Sequence, residues 1–314
     1  MLQLIVRRLL IMIPVLFLVS LMVFSMILLV PGDPAVTLAG ENATEEQIDA
    51  TRTRLGLDDP VLEQYGRWVG NALQGDLGTS LFSSQKVTSA ITQRLPVTLS
   101  LAFGAIAISL IIGIPAGILA AVFRGRWPDR FLGLGAAAAI SMPNYFLGML
   151  FILVFAIWNS ILPATSYVAF TEDPWLWFQH LLLPWLTLGL VSAAVITRQL
   201  RSSLIGVLGQ DYVRTARAKG LRSHSVILKH SIKNAAIPVV TVVGTQIAFA
   251  LGGSVIVEQV FGLTGVGQLA VTSVLKRDLP VIQGVVVMFT LIVLFCNLLV
   301  DLAYGYLNPK VRVR

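Results

Sequence analysis

Six stretches of the chain contain no Asp, Glu, Lys or Arg: residues 9–30, 97–123, 131–162, 181–196, 235–257 and 281–300. They run for 22, 27, 32, 16, 23 and 20 residues, and all 39 charged side chains lie in the 174 residues outside them. About 20 apolar residues cross a hydrocarbon core of roughly 30 Å, so five of the six are long enough unaided. The fourth is short, but Trp175, Trp177 and Trp185 suit a membrane interface and predict an earlier entry. The third is too long for one straight helix. Pro143 lies inside it and predicts a kink or break, because proline removes a backbone donor and clashes with the preceding turn. The pattern predicts an all-α polytopic membrane protein with six transmembrane helices.

Composition points the same way. Of 314 residues, 56% are hydrophobic and 12% charged, against about 25% charged in soluble domains. That excludes an ordinary cytosolic enzyme or nucleic-acid binder. A single cysteine, Cys296, permits neither an internal disulfide nor a cysteine metal cluster. Arg7 and Arg8 precede the first apolar run as in a signal peptide. The run is 22 residues, longer than the roughly 7–15 of a signal core, so a retained anchor is expected.

The net charge of +7 is explained by topology. With the N-terminus inside, alternating spans return the C-terminus inside, and the inner segments hold 16 Lys and Arg against 7 outside. Leaving out the long first outer segment, 31–96, the balance is 16 to 2. Short inner loops carry this excess of positive charge, so both termini are expected on the cytoplasmic side and no nucleic-acid partner is implied.

Three segments outside the apolar stretches are large enough to have a task. Within 31–96, Leu62, Tyr65, Val69 and Leu73 recur at helical spacing and predict a short amphipathic helix over 61–73. The segment 258–280 is rich in glycine. The segment 197–234 is basic, and Asp211 is placed to cap a helix over 212–219, with Gly220 at the left-handed position past its end. Arg214, Arg217 and Leu221 then lie near one face, and the small Thr215, Ala216 and Ala218 allow another surface to approach. Either these charges only hold the topology, or the short helix is a docking element.

Enzyme chemistry is poorly supported. A phosphate-binding loop needs a lysine directly after glycine; Lys86, Lys219, Lys229, Lys233, Lys276 and Lys310 all lack one. His180, His224 and His230 are too scattered for a metalloprotease helix, and no metal site is expected. The glycines from Gly262 to Gly267 suit a tight turn over the outer end of a pathway rather than a nucleotide site. Uncharged polar residues in the spans, Asn144, Thr245, Gln246 and Gln283 foremost, are candidates to line such a path. The apolar stretches contain no carboxylate, which disfavours an ion-driven carrier, while a non-transporting anchor would need neither these residues nor a capped inner helix.

Residues 211–221 read DYVRTARAKGL and residues 229–240 read KHSIKNAAIPVV. Together they resemble the signature loop of ABC importer permeases, in the dipeptide, oligopeptide and nickel branch. Similar to that branch are also Pro31-Gly32-Asp33-Pro34, Gln74 through Gly78, Ser141-Met142-Pro143, Phe261 through Gly267, and Asp301 through Pro309. Arg214-Thr215-Ala216 stands where the general motif has Glu-Ala-Ala, and Asn308-Pro309 where the branch more often has Asp-Pro.

The resemblance implies a type I ABC importer permease fold. It implies an N-terminal transmembrane helix at 1–30, an extracytoplasmic insertion at 31–96 and a five-helix core at 97–307. The core would carry a cytoplasmic coupling loop at 197–234, followed by a tail at 308–314. It further implies that Asp211, Tyr212, Arg214, Thr215, Ala216, Arg217, Lys219, Gly220 and Leu221 dock on an ATPase subunit. The expected partners are two ATP-binding subunits carrying ATP and magnesium, a second homologous permease, and an external substrate-binding protein or lipoprotein. The expected function is import of di- or oligopeptides by alternating access, with nickel or another small solute as the alternative cargo. No cofactor is expected in this chain, which would sit in the cell's cytoplasmic membrane.

Overall fold

The computed structural model describes residues 2–29, 35–36 and 43–307. The Pro31-Gly32-Asp33-Pro34 and Asn308-Pro309 motifs and the tail from 308 lie outside the described residues. Among those described, the secondary structure is helical apart from one isolated bridge, Thr79 to Lys86.

The helices in chain order are α1 (Leu2–Leu29), α2 (Glu45–Leu55), α3 (Val61–Leu73), α4 (Val87–Val122), α5 (Trp127–Ser141) and α6 (Asn144–Trp158). They continue with α7 (Pro174–Leu208), α8 (Asp211–Ala218), α9 (Ser223–Val260), α10 (Val266–Lys276) and α11 (Leu279–Leu307). Five of these are long and apolar enough to cross a membrane, and α5 with α6 passes the same test as a pair bent by 106° at its break. The bend falls at Met142-Pro143, where the extended Met142 backbone (ψ 131°) ends one helix and Pro143 begins the next.

The helices outrun the charge-free stretches at three places. Helix α7 continues through Arg198 and Arg201 to Leu208, and α9 starts at Ser223, so within 197–234 the connection between these two helices is residues 209–222. Glu258 is in the last turn of α9 and is completely buried, so the spans do contain a carboxylate. Asp301 lies inside α11, where Arg8 of α1 holds it through two contacts of 2.9 Å. A charge can stand in a span where a partner compensates it, and a run of apolar letters cannot register the partner.

The chain packs as two units. One comprises Met1–Arg8, Val97–Gly267 and Val293–Arg314; the other comprises Leu9–Pro96 and Gln268–Ile292. In the second unit, α3 turns Tyr65 inward against Phe17 and Phe24, and its hydroxyl pairs with Ser20 at 2.8 Å. Leu62 and Leu73 of the same helix are exposed, so its buried face is set by the aromatics. A capping box of Thr44 and Gln47 starts α2, a helix that the apolar pattern does not indicate, and Gly56 at φ +63° ends it. Buried Asp278 accepts from Ser80 Oγ at 2.5 Å and from the Leu81 amide at 3.1 Å.

In the first unit α7 is the central post, with 72% of its most apolar window buried against at most 33% in the other spans. It crosses α4 at very short range. Trp185 lies over Gly104 and donates from Nε1 to the Ser100 carbonyl at 2.9 Å; the ring is buried in the core, so this tryptophan is not an interface residue. Gly113 and Gly117 meet Ile196 and Leu200, while Gly189 faces the Ala105 carbonyl and Ile108. In lipid, where apolar burial drives little association, such small residues allow the backbone approach that holds helices together. At its start, Asp173 caps α7 by accepting from the Trp175 and Leu176 amides at 2.8 and 3.0 Å.

This crossing makes a test. A Cβ at Gly189 would lie 2.8 Å from the Ala105 carbonyl oxygen, whereas Gly206 on the same helix has open space. Gly189→Leu is expected to cost about 1–3 kcal/mol by overpacking and to lower the melting temperature in detergent. Gly206→Leu should leave it near that of the parent chain.

Candidate coupling helix and polar path

Helix α8 follows α7 after two residues. Its backbone cap is Gln210, in extended geometry, with no side-chain cap bond. Asp211 is therefore not the cap expected from the sequence. It occupies the first helical position, its side chain is almost wholly exposed, and its carboxylate makes a 3.5 Å contact with Arg214. A carboxylate there still favours the positive end of the helix dipole, which explains its presence without the hydrogen bond.

The far end of α8 is a Schellman turn: the Gly220 amide donates to the Arg217 carbonyl at 2.9 Å and the Leu221 amide to the Ala216 carbonyl at 3.4 Å. Gly220 sits at φ +78°, where a side chain would strain the backbone. Lys219 ends the helix, and Leu221 lies past the turn, so the face carrying Arg214 and Arg217 stops short of it.

Two apolar residues anchor the helix. Val213 and Ala216 are buried against Val226 of α9, with Val207 and Leu208 of α7 packed beside them. Ala216 thus serves the internal contact and is not free for a partner, contrary to expectation. Asn234 donates to the Tyr212 hydroxyl at 2.8 Å, tying the first turn to α9. What remains on the outside is Asp211, Tyr212, Arg214, Thr215, Arg217, Ala218, Lys219, Gly220 and Leu221, all exposed. The apolar pair at i and i+3 was the available signal for this anchoring, hidden by the surrounding charges.

The candidate path residues divide between the units. Gln246 of α9 accepts from Ser192 of α7 at 3.1 Å. Gly253 lies two turns along the same face of α9, and the Asn144 amide lies against it, 3.4 Å from where a Cβ would stand. Thr245 is exposed and donates to its own helix at the Val242 carbonyl, 2.8 Å away. These belong to the first unit, and Gln283 to the second. Gln283 is buried, and its Nε2 has no hydrogen-bond partner among the described residues. Among the described residues no three His, Cys, Asp or Glu side chains are grouped to hold a metal.

A second polar centre was missed in the sequence. Thr98 of α4 donates to Glu258 Oε1 at 2.8 Å, and the same hydroxyl accepts from the Val266 amide at 2.8 Å. The Leu263 amide donates to the Glu258 carbonyl at 2.8 Å. Gly262 turns the chain at φ +62°, and Gly265 and Gly267 press against the carboxylate: a Cβ on Gly267 would fall 2.9 Å from Oε2. The glycine run expected to form a tight turn is therefore wound around a buried glutamate, with Phe261, Leu263 and Val266 buried about it.

Replacing Glu258 by Ala removes the acceptor for Thr98 and leaves a cavity, a combination costing about 1–3 kcal/mol or more. Glu258→Gln preserves an acceptor. The expected result is a clearly lower melting temperature for Glu258→Ala and a near-normal one for Glu258→Gln, measured on the purified chain in detergent.

Residues 113–313 match the family model for "Binding-protein-dependent transport system inner membrane component", and residues 1–102 match "Binding-prot-dependent transport system membrane comp, N-term". The glutathione transport system permease protein GsiC of Escherichia coli (strain K12) is 45% identical over 314 residues, covering 100% of both chains. The same protein from Shigella dysenteriae serotype 1 (strain Sd197) matches equally, at 45% over 314 residues. Among solved structures, an inward-facing conformation of the MetNI methionine ABC transporter aligns with a TM-score of 0.57 at 18% identity, covering 69% of this chain and 96% of that one. At that identity the likeness speaks for the fold.

Proposed function

The chain belongs to the binding-protein-dependent transport system inner membrane component family, and from that premise we propose that it imports glutathione-like or other short peptides. It is the multi-pass membrane permease of an ABC importer and not its ATPase. With that family, the ion-driven carrier and the passive anchor fall away.

The observation that carries the substrate reading is the 45% identity across the full length of a glutathione transport permease. The uncharged polar residues Asn144, Thr245 and Gln246 support it. A neutral lining has few fixed contacts with which to reject varied side chains. Selection then rests mainly with an external substrate-binding protein or lipoprotein.

In this reading α8 docks into an ATPase subunit through Tyr212, Arg214, Thr215, Arg217 and the turn from Lys219 to Leu221. Two such subunits hold ATP and magnesium, and a second homologous permease completes the path. The excess of Lys and Arg, 16 to 2 on the short segments, supports cytoplasmic termini and a cytoplasmic α8. ATP binding closes the ATPase pair, α8 follows, and the spans exchange inward-open for outward-open.

Reconstitution of the assembled importer in vesicles tests the proposal. ATP-dependent uptake of labelled glutathione and of dipeptides is expected, and uptake of nickel alone would contradict the peptide reading. Arg217→Glu should lower uptake about tenfold or more, since a charge-assisted contact contributes about 1.5–3 kcal/mol, while the chain remains in the membrane. Undiminished uptake would remove Arg217 from the coupling surface.

A further inference from the structure

Arg201 and Asp129 form a two-pronged ion pair between α7 and α5, Nε to Oδ1 at 2.5 Å and Nη2 to Oδ2 at 2.8 Å. The Gly125 amide donates to the same Oδ2 at 2.8 Å, so the carboxylate also closes the turn from α4 into α5. Asp129 is buried, and Arg201 is about one third exposed. Asp129 is the one acidic residue between Asp76 and Glu172. Its chain neighbours Arg124, Arg126 and Arg130 are all exposed, yet it is Arg201, 72 positions away, that it grips.

Only Asp129 and Ala136 of α5 are buried. Beyond the ion pair, the helices border an open apolar groove of about 240 Å³ lined by Leu132, Gly135, Ala136, Ala139, Ala193 and Thr197, among others. Small side chains facing an open groove can slide. A bidentate guanidinium–carboxylate pair fixes both distance and orientation.

On the other side the connection to α8 is stiff. Val213 and Ala216 seat α8 on Val207 and Leu208 at the end of α7, and Arg201 lies in that same uninterrupted helix, about two turns back. Helix α5, in turn, is the first arm of the span bent at Pro143. A movement of α8 therefore reaches Arg201 along a rigid rod, and the ion pair is the point at which it can pull on the bent span.

We infer that the Arg201–Asp129 pair is a positioning strut that carries the movement of α8 into the bent α5–α6 span, coupling ATP hydrolysis to the opening of the path. The inference rests on the reading of α8 as the coupling helix. It gives Arg201 and Asp129 a role in transmission, without contact to substrate or nucleotide.

The test uses the complete importer in vesicles, with labelled glutathione as the probe. Asp129→Asn, Arg201→Gln and the double variant are compared with the parent complex for Vmax and KM of uptake and for ATP hydrolysis with and without the binding protein. A lost strut predicts that each single variant loses about tenfold or more in Vmax per assembled complex. KM and basal hydrolysis should stay within about twofold, and stimulation by the binding protein should disappear. The double variant should be no worse than the more impaired single one, because groups acting together are not additive. Arg201→Lys keeps the charge without the fork and should fall between Arg201→Gln and the parent.

Parent-like Vmax and stimulation in Asp129→Asn would overturn the inference. So would defects that multiply in the double variant. If the single variants fail to assemble, Arg201→Lys decides: assembled complex with full parental Vmax and stimulation overturns the strut, and partial loss of both supports it. Failure of the parent complex to couple uptake to ATP would instead overturn the reading of α8, and is distinguishable because it appears before any substitution.

Discussion

A backbone inside hydrocarbon must satisfy its own hydrogen bonds, and the long apolar helices of this molecule follow from that constraint. The spans are long helices because nothing else is allowed there. The chain leaves helical geometry at Met142-Pro143, at Gly209-Gln210 and around Gly262. The bent α5–α6 pair, helix α8 and the glycine turn are these three places. The close crossing of α4 and α7 through Gly104, Gly113, Gly117 and Gly189 supplies the fixed frame from which they operate.

Buried charge is used sparingly and always with a partner in the first unit. Asp129 has Arg201 and Glu258 has Thr98, while the partly exposed Asp301 has Arg8. Each of these contacts joins elements far apart in the chain. A buried pair contributes little net stability once desolvation is counted, but removing one partner is costly, so such pairs fix geometry more than they add strength. That is the behaviour required of a machine that must change shape without coming apart.

Much of the fold was legible because a bilayer imposes a coarse rule. Lengths of apolar runs gave the spans, Pro143 gave the break, and the residues of α8 were framed closely by its flanking polar positions and Gly220. What escaped notice depended on partners distant in sequence. Glu258 reads as the first charge after a span, and only the fold reveals Thr98 beneath it. Asp211 has the right chemistry for a cap, yet Gln210 takes the capping backbone position. Trp185 has the composition of an interface residue and ends in the core because Gly104 leaves room for its ring. The path residues are the least legible, since a glutamine facing a neighbouring serine and one facing a channel look alike in a sequence.

If α8 docks on the ATPase subunits as proposed, its loss should separate the permease from them. The most direct measurement is affinity purification of the tagged chain in mild detergent with ATPase activity assayed on the eluate, for the intact chain and for one with residues 212–221 replaced by a flexible linker. ATP-hydrolysing subunits are expected to accompany the intact chain and to be lost with the replacement, while both chains are recovered from the membrane. Equal recovery of ATPase activity with and without the segment would contradict it.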